Sequence, residues 1–234
     1  MSIVPSRART KTLAPPPRGP RGPRDPAAIL RASKEPDFRQ ERSRRSYLAL
    51  IEAATTLFSE HGYDAVGTPE IAERAGVAVG TFYRYFDDKR EIYLEVSRRN
   101  MAEAYAATLE GLGPERFAGR ARQETIRETV AVLFQHVAGR GPLTRSFLEM
   151  SLRDPAVAEL RRAFETVAIG RLAALIAAAV PRDVVSDPEA TAFVLYGSAM
   201  QAAYGLAGHV GPPPVDAARA REALTSFIER TLFP

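Results

Sequence analysis

The stretch that decides the fold runs from Gly67 to Lys89 and reads GTPEIAERAGVAVGTFYRYFDDK. Thr68 and Pro69 favour the start of a short helix, because a hydroxyl can cap free backbone N–H groups and proline suits the first helical position. Gly76 follows where a tight turn often needs a positive φ, which glycine adopts without steric cost. A second short helix is predicted from about Val79 to Phe86. This is the layout of a helix-turn-helix, whose second helix lies in the DNA major groove.

The second helix has two different faces. Phe82 and Phe86 are four residues apart, so they share one face and are expected to point inward. Gly80 lets the backbone of this helix approach DNA closely, because it has no side chain. The opposite face is predicted to be free, and its hydroxyls and guanidinium can meet phosphates and base edges; it carries Thr81, Tyr83, Arg84 and Tyr85.

This region resembles the TetR family of bacterial transcriptional regulators. The resemblance is carried by Ile71-Ala72, by Ala75-Gly76-Val77 and by the run from Gly80 to Phe86. It extends upstream through the helix from Tyr47 to Gly62 and downstream through Lys89, Ile92 and Leu94, and so covers about fifty residues. It implies an all-α protein with an N-terminal three-helix helix-turn-helix head and a C-terminal helical bundle for ligand binding and dimerisation.

The resemblance also implies which residues contact DNA. Gly67 and Ala78 stand where relatives usually carry Ser or Thr, which removes one hydroxyl at each helix start. Lys89 is expected to contact phosphate, because a cation in the first turn of a helix opposes the helix dipole and needs another reason for its place. A solvated lysine is the alternative. The predicted DNA-binding residues are Thr68, Pro69, Ala78, Val79, Gly80, Thr81, Tyr83, Arg84, Tyr85 and Lys89.

Composition restricts the class of protein. A chain of 234 residues with 45% hydrophobic content can fill a core, and the absence of Cys excludes disulfides and a cysteine-ligated zinc site. No apolar run approaches the length of a membrane span, and the N-terminus lacks the apolar core of a secretory signal. We therefore expect a cytoplasmic protein without a membrane partner.

The N-terminal residues 1–40 are predicted to form a disordered, basic, proline-rich arm, ahead of the helix-turn-helix domain at 41–90 and the bundle domain at 91–234. Eight of the 18 prolines lie within residues 1–36. Through Arg45 the chain holds 12 Lys or Arg against four Asp or Glu, so the rest of the chain carries a net charge of about −4. Such an arm can add phosphate or minor-groove contacts; a solvated tail is the alternative.

Apolar residues recur at helical spacing through the rest of the chain, and no alternating strand pattern is present. An all-α architecture follows. The predicted helices beside the helix-turn-helix are 44–61 and 87–110, followed by 115–138, 142–152, 155–180, 187–209 and 215–232.

The helix predicted at 187–209 is apolar nearly all round, which indicates burial on most sides. With the last helix, the resemblance implies, it makes half of a four-helix bundle completed by a second copy. An internal core helix is the alternative. The predicted interface residues are Tyr196, Gly197, Ala199, Met200, Ala203, Leu224, Phe227, Ile228 and Leu232.

The resemblance further implies a cavity in the body that binds a small, often hydrophobic molecule. Tyrosines, His136 or Arg153 would supply polar anchors. A ligand that prefers one body conformation would shift the dimer towards it, and the helix at 87–110 would carry the shift to the head. The candidate lining residues are Phe117, Phe134, Phe147, Met150, Phe164, Tyr196, Met200 and Tyr204.

No motif of an enzyme is present: the chain lacks a P-loop, a G-x-S-x-G elbow and H-E-x-x-H. No catalytic residue, metal ligand or cofactor is therefore predicted. The leading hypothesis is a homodimeric repressor that binds a palindromic DNA operator and is released by a small-molecule effector. The alternative is a helical sensor or adaptor that no longer binds DNA, having lost Ser or Thr at positions 67 and 78, and an enzyme comes third.

Overall fold

The computed structural model describes residues 28, 38, 40–119, 121–209, 211–213 and 215–234. Within these residues every regular element is helical, which confirms the predicted all-α class. None of the described helices is long and apolar enough to cross a membrane. The α-helices are α1 (Glu41–His61), α2 (Thr68–Arg74), α3 (Val79–Tyr85), α4 (Lys89–Tyr105), α5 (Ala121–Gly139), α6 (Gly141–Arg153), α7 (Pro155–Ala179), α8 (Pro188–Leu206) and α9 (Ala217–Leu232).

The connection from α4 to α5 differs from the prediction. The helix predicted at 87–110 is regular only to Tyr105, and a π-helical turn, Ala106–Glu110, continues it. The helix predicted at 115–138 begins as a 3-10 turn, Pro114–Phe117, and α5 follows separately. The periodicity was compatible with continuous helices because apolar spacing does not distinguish an α-turn from a wider or tighter one.

The head is built on the apolar stripe of α1. Tyr47, Leu50 and Phe58 are completely buried, with no exposed surface. They belong to the same hydrophobic core as Ile71 of α2 and Phe82 of α3. Gly62 ends α1 with a φ of 77°, a backbone conformation that favours glycine. The long first helix therefore holds the helix-turn-helix in place.

The core of the head continues into the body across the expected domain boundary at residues 90 and 91. Leu143 and Met150 of α6, and Leu160 of α7, belong to the same cluster of buried side chains. The hydroxyls of Tyr93 on α4 and Ser146 on α6 share a buried hydrogen bond of 3.1 Å. The head is therefore packed directly against α6 and α7.

Asp154, between α6 and α7, adds a polar link between body and head. Its carboxylate caps α7 by accepting hydrogen bonds from the N–H groups of Ala156 and Val157. The same carboxylate accepts two hydrogen bonds from the guanidinium of Arg90 in the first turn of α4, one of them with an Nη2–Oδ1 distance of 2.8 Å. One side chain thus fixes the start of α7 to the start of α4.

The arm predicted at residues 1–40 lies almost entirely outside the described residues. Phe38, however, falls within that range and is packed: its ring lies 5.4 Å from the ring of Tyr47 and 6.0 Å from that of Tyr85. The head therefore begins before residue 41. The prediction missed this because a single phenylalanine among prolines and charges gives no periodic signal.

We predict that replacing Asp154 by Asn lowers the free energy of unfolding at pH 7 by about 1 kcal/mol, because the ion pair with Arg90 is lost while the cap is kept. The hydrogen bond from Arg90 holds the pKa of Asp154 below its usual value of 3.8. The folded state therefore binds this proton less tightly than the unfolded state, so the contribution is complete above pH 3.8 and is lost as the pH falls through the lower folded-state pKa.

Urea unfolding of the parent and of Asp154→Asn across pH 2 to 7 measures this. The two curves should separate at pH 7 and converge below pH 3.8. Asp64→Asn is the matched control, because its carboxylate is largely exposed where it meets Arg153 at 3.3 Å, and it should change little. A difference between Asp154→Asn and the parent that is the same at every pH would contradict the account.

Candidate nucleic-acid interface and ligand cavity

The start of α2 differs in detail from the prediction. Thr68 is the first helical residue and Gly67 is the cap position, where the Gly67 N–H donates to the Glu70 carboxylate at 3.5 Å. The hydroxyl of Thr68 does not cap the helix and instead shares a 3.0 Å hydrogen bond with the hydroxyl of Tyr83. The two helices of the motif are therefore tied together on their outer side.

The turn between α2 and α3 has the predicted form. Gly76 has a φ of 66°, so it occupies the left-handed region that other residues avoid. The N–H of Val77 then donates to the carbonyl of Ala72 at 3.0 Å, which closes the turn. Val77 is half-buried against the core of the head, where it supports the angle between the helices.

One face of α3 is open to solvent. Tyr83 is 53% exposed, and Arg84, Ala78, Val79 and Gly80 are exposed as well. Thr81 is half-buried, and Pro69 on α2 is exposed. Phe82 and Phe86 lie on the other side in the core, as predicted. The open face presents hydroxyl and guanidinium groups on a rigid helix, which is the chemistry that phosphates and base edges require.

The expectation that Tyr85 shares this open face is wrong. Its ring is half-buried and packs edge-on against Tyr47 with the ring centroids 5.7 Å apart. Its hydroxyl donates to the backbone carbonyl of Ser43 in the first turn of α1, at 3.1 Å. A helix turns 100° per residue, so the residue after Arg84 points back towards α1.

Lys89 has a structural contact that the sequence did not suggest. Its Nζ donates to the backbone carbonyl of Tyr63 at 2.9 Å and lies 4.3 Å from the centre of the Tyr63 ring. This carbonyl follows the end of α1, so the cation stabilises the connection from α1 to α2. The contact explains a lysine in the first turn of α4 without DNA, and its predicted phosphate contact stays a prediction.

A cavity of about 200 Å³ lies in the body and is lined by residues of α4 to α9 and of the connection between α4 and α5. It is lined mostly by apolar side chains. Six of the eight residues proposed from the sequence line it: Phe117, Phe147, Phe164, Tyr196, Met200 and Tyr204.

The other proposed lining residues lie elsewhere. Phe134 is buried in a cluster with Ala203 and Leu224, and Met150 is buried in the core shared with the head. Arg153 lies on the surface beside Asp64. Helical periodicity marks Phe134 and Met150 as inward-facing, but it does not say which inward side chains pack against other side chains and which line a cavity.

Polar lining residues were mostly missed. Asn100 of α4 and Thr108 of the π-helical turn that follows it line the cavity beside the predicted anchor His136, together with Arg161 and Glu165 of α7. Burial, and the charge of nearby Arg140, lower the pKa of His136, so the imidazole is neutral at pH 7. Among the described residues, no group of His, Asp or Glu side chains is arranged to hold a metal ion.

The proposed interface residues divide between two sides of their helices. Ala203, Leu224 and Leu232 are buried within the chain's own cores, and Tyr196 lines the cavity. Gly197 and Phe227 are exposed. The most exposed apolar side chains of α8, Phe193 at 66% and Val194 at 54%, were not proposed. A helix that is apolar all round gives no sequence signal for which side faces outward.

We predict that Tyr85→Phe lowers the free energy of unfolding by about 1 kcal/mol, because a partly buried hydrogen bond to Ser43 is lost. Tyr83→Phe is the matched control. Its hydroxyl is lost from an exposed site, so stability should change by less than about 0.5 kcal/mol. Urea midpoints of both variants measure the difference, and equal losses would contradict the placement of Tyr85.

Comparison with known proteins places this fold in context. A family model described as "Bacterial regulatory proteins, tetR family" matches residues 50–96. A transcriptional regulator from Saccharomonospora viridis, solved in complex with choline, has the same fold, with a TM-score of 0.63 at 21% identity over 81% of this chain and 96% of that one. A TetR-family regulator from Mesorhizobium loti has a TM-score of 0.60 at 23% identity over 82% and 98%.

Curated relatives extend the comparison to sequence. The Fatty acid metabolism regulator protein of Bacillus subtilis is 35% identical over 27% of this chain and 32% of its own length. The repressor KstR of Mycobacterium tuberculosis is 32% identical over 44% and 45%. Both matches thus span less than half of the relative. The regulator TcmR of Streptomyces glaucescens is 32% identical over 65% of this chain and 68% of its own length. The chain belongs to the TetR family of bacterial regulatory proteins.

Proposed function

We propose that this protein is a homodimeric, ligand-responsive transcriptional repressor that acts in the cytoplasm on a palindromic DNA operator. The observation that carries the proposal is the open face of α3, where Tyr83 and Arg84 are exposed while Phe82 and Phe86 anchor the helix in the core. Repression is favoured because KstR of Mycobacterium tuberculosis is named a repressor, as are the KstR relatives of Mycolicibacterium smegmatis and Rhodococcus jostii. A further relative, FasR of Mycolicibacterium smegmatis, is named an activator.

DNA reading would use the exposed residues of the motif. Arg84 can form two hydrogen bonds with a guanine edge or one with a phosphate, and Tyr83 with Thr68 presents hydroxyls beside it. Val79 and Gly80 at the start of α3 allow its backbone to approach a phosphate closely. Tyr85 and Lys89 are engaged within the protein, so they would act mainly by holding α3 in position.

Dimerisation would use the outer sides of α8 and α9. Phe193 and Val194 of α8, and Phe227 of α9, are large apolar side chains exposed to solvent in the single chain. Exposed Gly197 on α8 permits close approach of a second helix. Apolar groups clustered on helices of the body favour association of two copies, and a two-fold dimer matches a palindromic site.

Ligand response would travel through side chains that touch both the cavity and the head. Met101 of α4 and Phe147 of α6 line the cavity and also belong to the core that contains the buried side chains of the helix-turn-helix. A ligand that displaces them would favour a different packing of α4 and α6. If the two α3 helices leave the spacing of about 34 to 36 Å, they no longer fit successive major grooves, and DNA is released.

The alternative function, a sensor that no longer binds DNA, is suggested by the missing hydroxyls at Gly67 and Ala78. The two proposals differ in their response to salt. DNA binding must weaken steeply as salt rises, because bound phosphates release counterions. A salt-independent or absent interaction with any duplex would favour the sensor.

We predict that Arg84→Ala weakens binding to a duplex selected by the parent protein by about 1 to 3 kcal/mol and relaxes preference at one base pair. Fluorescence anisotropy on the selected duplex and on its single-base variants measures both effects. Arg162→Ala, an exposed arginine on α7, is the matched control and should bind as the parent does. Unchanged affinity and preference in Arg84→Ala would show that α3 does not read the duplex.

We also predict that Phe193→Glu converts the dimer to monomer, raising the dissociation constant by roughly 100-fold or more, because a charge would be buried on both sides of the two-fold interface. Sedimentation equilibrium measures the constant. Leu152→Glu is the matched control, since Leu152 is 86% exposed on α6, away from α8 and α9. Equal association of the two variants would contradict the proposed interface.

A further inference from the structure

The cavity in the body is polar at one end and apolar along the rest of α7. Arg161 and Glu165, both in the first half of α7, contribute charged groups to its lining. From Ala168 to the end of the helix, α7 contributes only apolar side chains among the lining residues described. Arg161 and Val180 are 19 positions apart, which is roughly 28 Å along a helix. The lining that α7 contributes therefore extends along most of the helix and is charged only near its start.

Near the end of α7 the cavity is lined by aliphatic side chains from three helices. Ile176 and Ala179 of α7 meet Leu195 of α8 and Leu232 of α9 around the same cavity. These groups offer dispersion contacts and no hydrogen bond. An apolar tail fits this end, because burying it there removes apolar surface from water.

The charges at the polar end neutralise each other. Arg161 Nε donates to Glu165 Oε1 at 2.8 Å, and Arg161 Nη1 donates to the hydroxyl of Ser151 at 3.1 Å. Both side chains of the pair are only about one third exposed, at 35% and 32%. A carboxylate entering here would meet a cation that is already paired with Glu165, and an ammonium would meet an anion that is already paired with Arg161. An ionic head group must lose its water without gaining a free counter-charge.

Two tyrosine hydroxyls lie at this end. Tyr204 and Tyr196 of α8 line the cavity and lie within electrostatic range of Arg161 and Glu165. Neither hydroxyl makes a hydrogen bond to another part of the chain that the structure describes. Burial raises the pKa of Tyr204 to about 12, so its hydroxyl keeps its proton at neutral pH. These two neutral hydroxyls can therefore form hydrogen bonds with a ligand.

We propose that the effector is an uncharged amphipathic molecule, with a hydroxyl head held by Tyr204 and the Arg161–Glu165 pair and an aliphatic tail that runs along α7 towards Val180. The hydroxyl accepts a hydrogen bond from Tyr204 and donates one to Glu165 without breaking the ion pair. The regulatory consequence rests on the proposed function, whereas the binding preference does not.

Three probes with the same ten-carbon tail test the head group: 1-decanol, decanoate and decylamine. Isothermal titration calorimetry at pH 7.5 with the full chain should give an affinity for 1-decanol at least tenfold higher than for either ion. 1-Hexanol should bind more weakly by roughly fourfold per methylene removed, because its shorter tail leaves apolar lining uncovered. An ion that binds as tightly as 1-decanol, or a failure of 1-decanol to bind, would overturn the proposal.

Charge-switch variants locate the head group. Glu165→Gln leaves Arg161 without its carboxylate, so decanoate should bind at least tenfold more tightly than to the parent. Arg161→Gln leaves Glu165 without its cation, so decylamine should bind more tightly to this variant than to the parent. Tyr204→Phe should weaken 1-decanol about fivefold, by loss of one hydrogen bond. If the three probes keep the same order of affinity in both charge variants, the placement of the head group is wrong.

Glu149→Gln is the matched control, because Arg145 and Glu149 form a similar pair on α6, at 3.1 Å, outside the cavity lining. It should change none of the affinities by more than twofold. Binding of the parent to duplex DNA is measured on the same preparations. A parent that binds 1-decanol as expected but binds no duplex would overturn the regulator function alone, whereas a preference for decanoate would overturn the ligand class alone.

Discussion

The packing of α6 between the head and the cavity is the constraint on which the rest of the structure depends. Phe147 is buried in the core that side chains of α1, α2 and α3 form, and it also lines the cavity. Leu143 and Met150 extend this contact along α6. Interiors are close-packed, so a change of shape at one side of such a helix must be accommodated at the other. The fold thereby connects a space for a ligand with the orientation of α3.

Polar contacts reinforce the same junction. Asp154 joins the start of α7 to Arg90, and Lys89 beside it bonds to the carbonyl of Tyr63. Tyr93 reaches Ser146 within the buried interface. The first turns of α4 are thus fixed both to α1 and to α6 and α7. These contacts join α4 to both the head and the body, as the proposed ligand response requires.

The sequence was sufficient for the head because its signals are local. Gly76 marks the tight turn, and Phe82 with Phe86 defines the buried side of α3. What escaped prediction depended on contacts distant in sequence. Tyr85 turns inward to a carbonyl 42 positions away, Lys89 to one 26 positions away, and Phe38 fills the space beside Tyr85. Local patterns do not contain such pairings.

The body was predictable as helices but not as a site. Periodicity placed α6 to α9 within about three residues, yet it could not separate Phe134, which packs against neighbours, from Phe164, which lines the cavity. The spacing of Arg161 and Glu165, four residues apart, is also that of an ordinary surface ion pair on a helix, so it does not indicate a cavity. The most direct test of the DNA-binding function is selection of bound sequences from a random duplex pool at physiological salt. The account predicts enrichment of one two-fold symmetric site, and failure to enrich any sequence would contradict it.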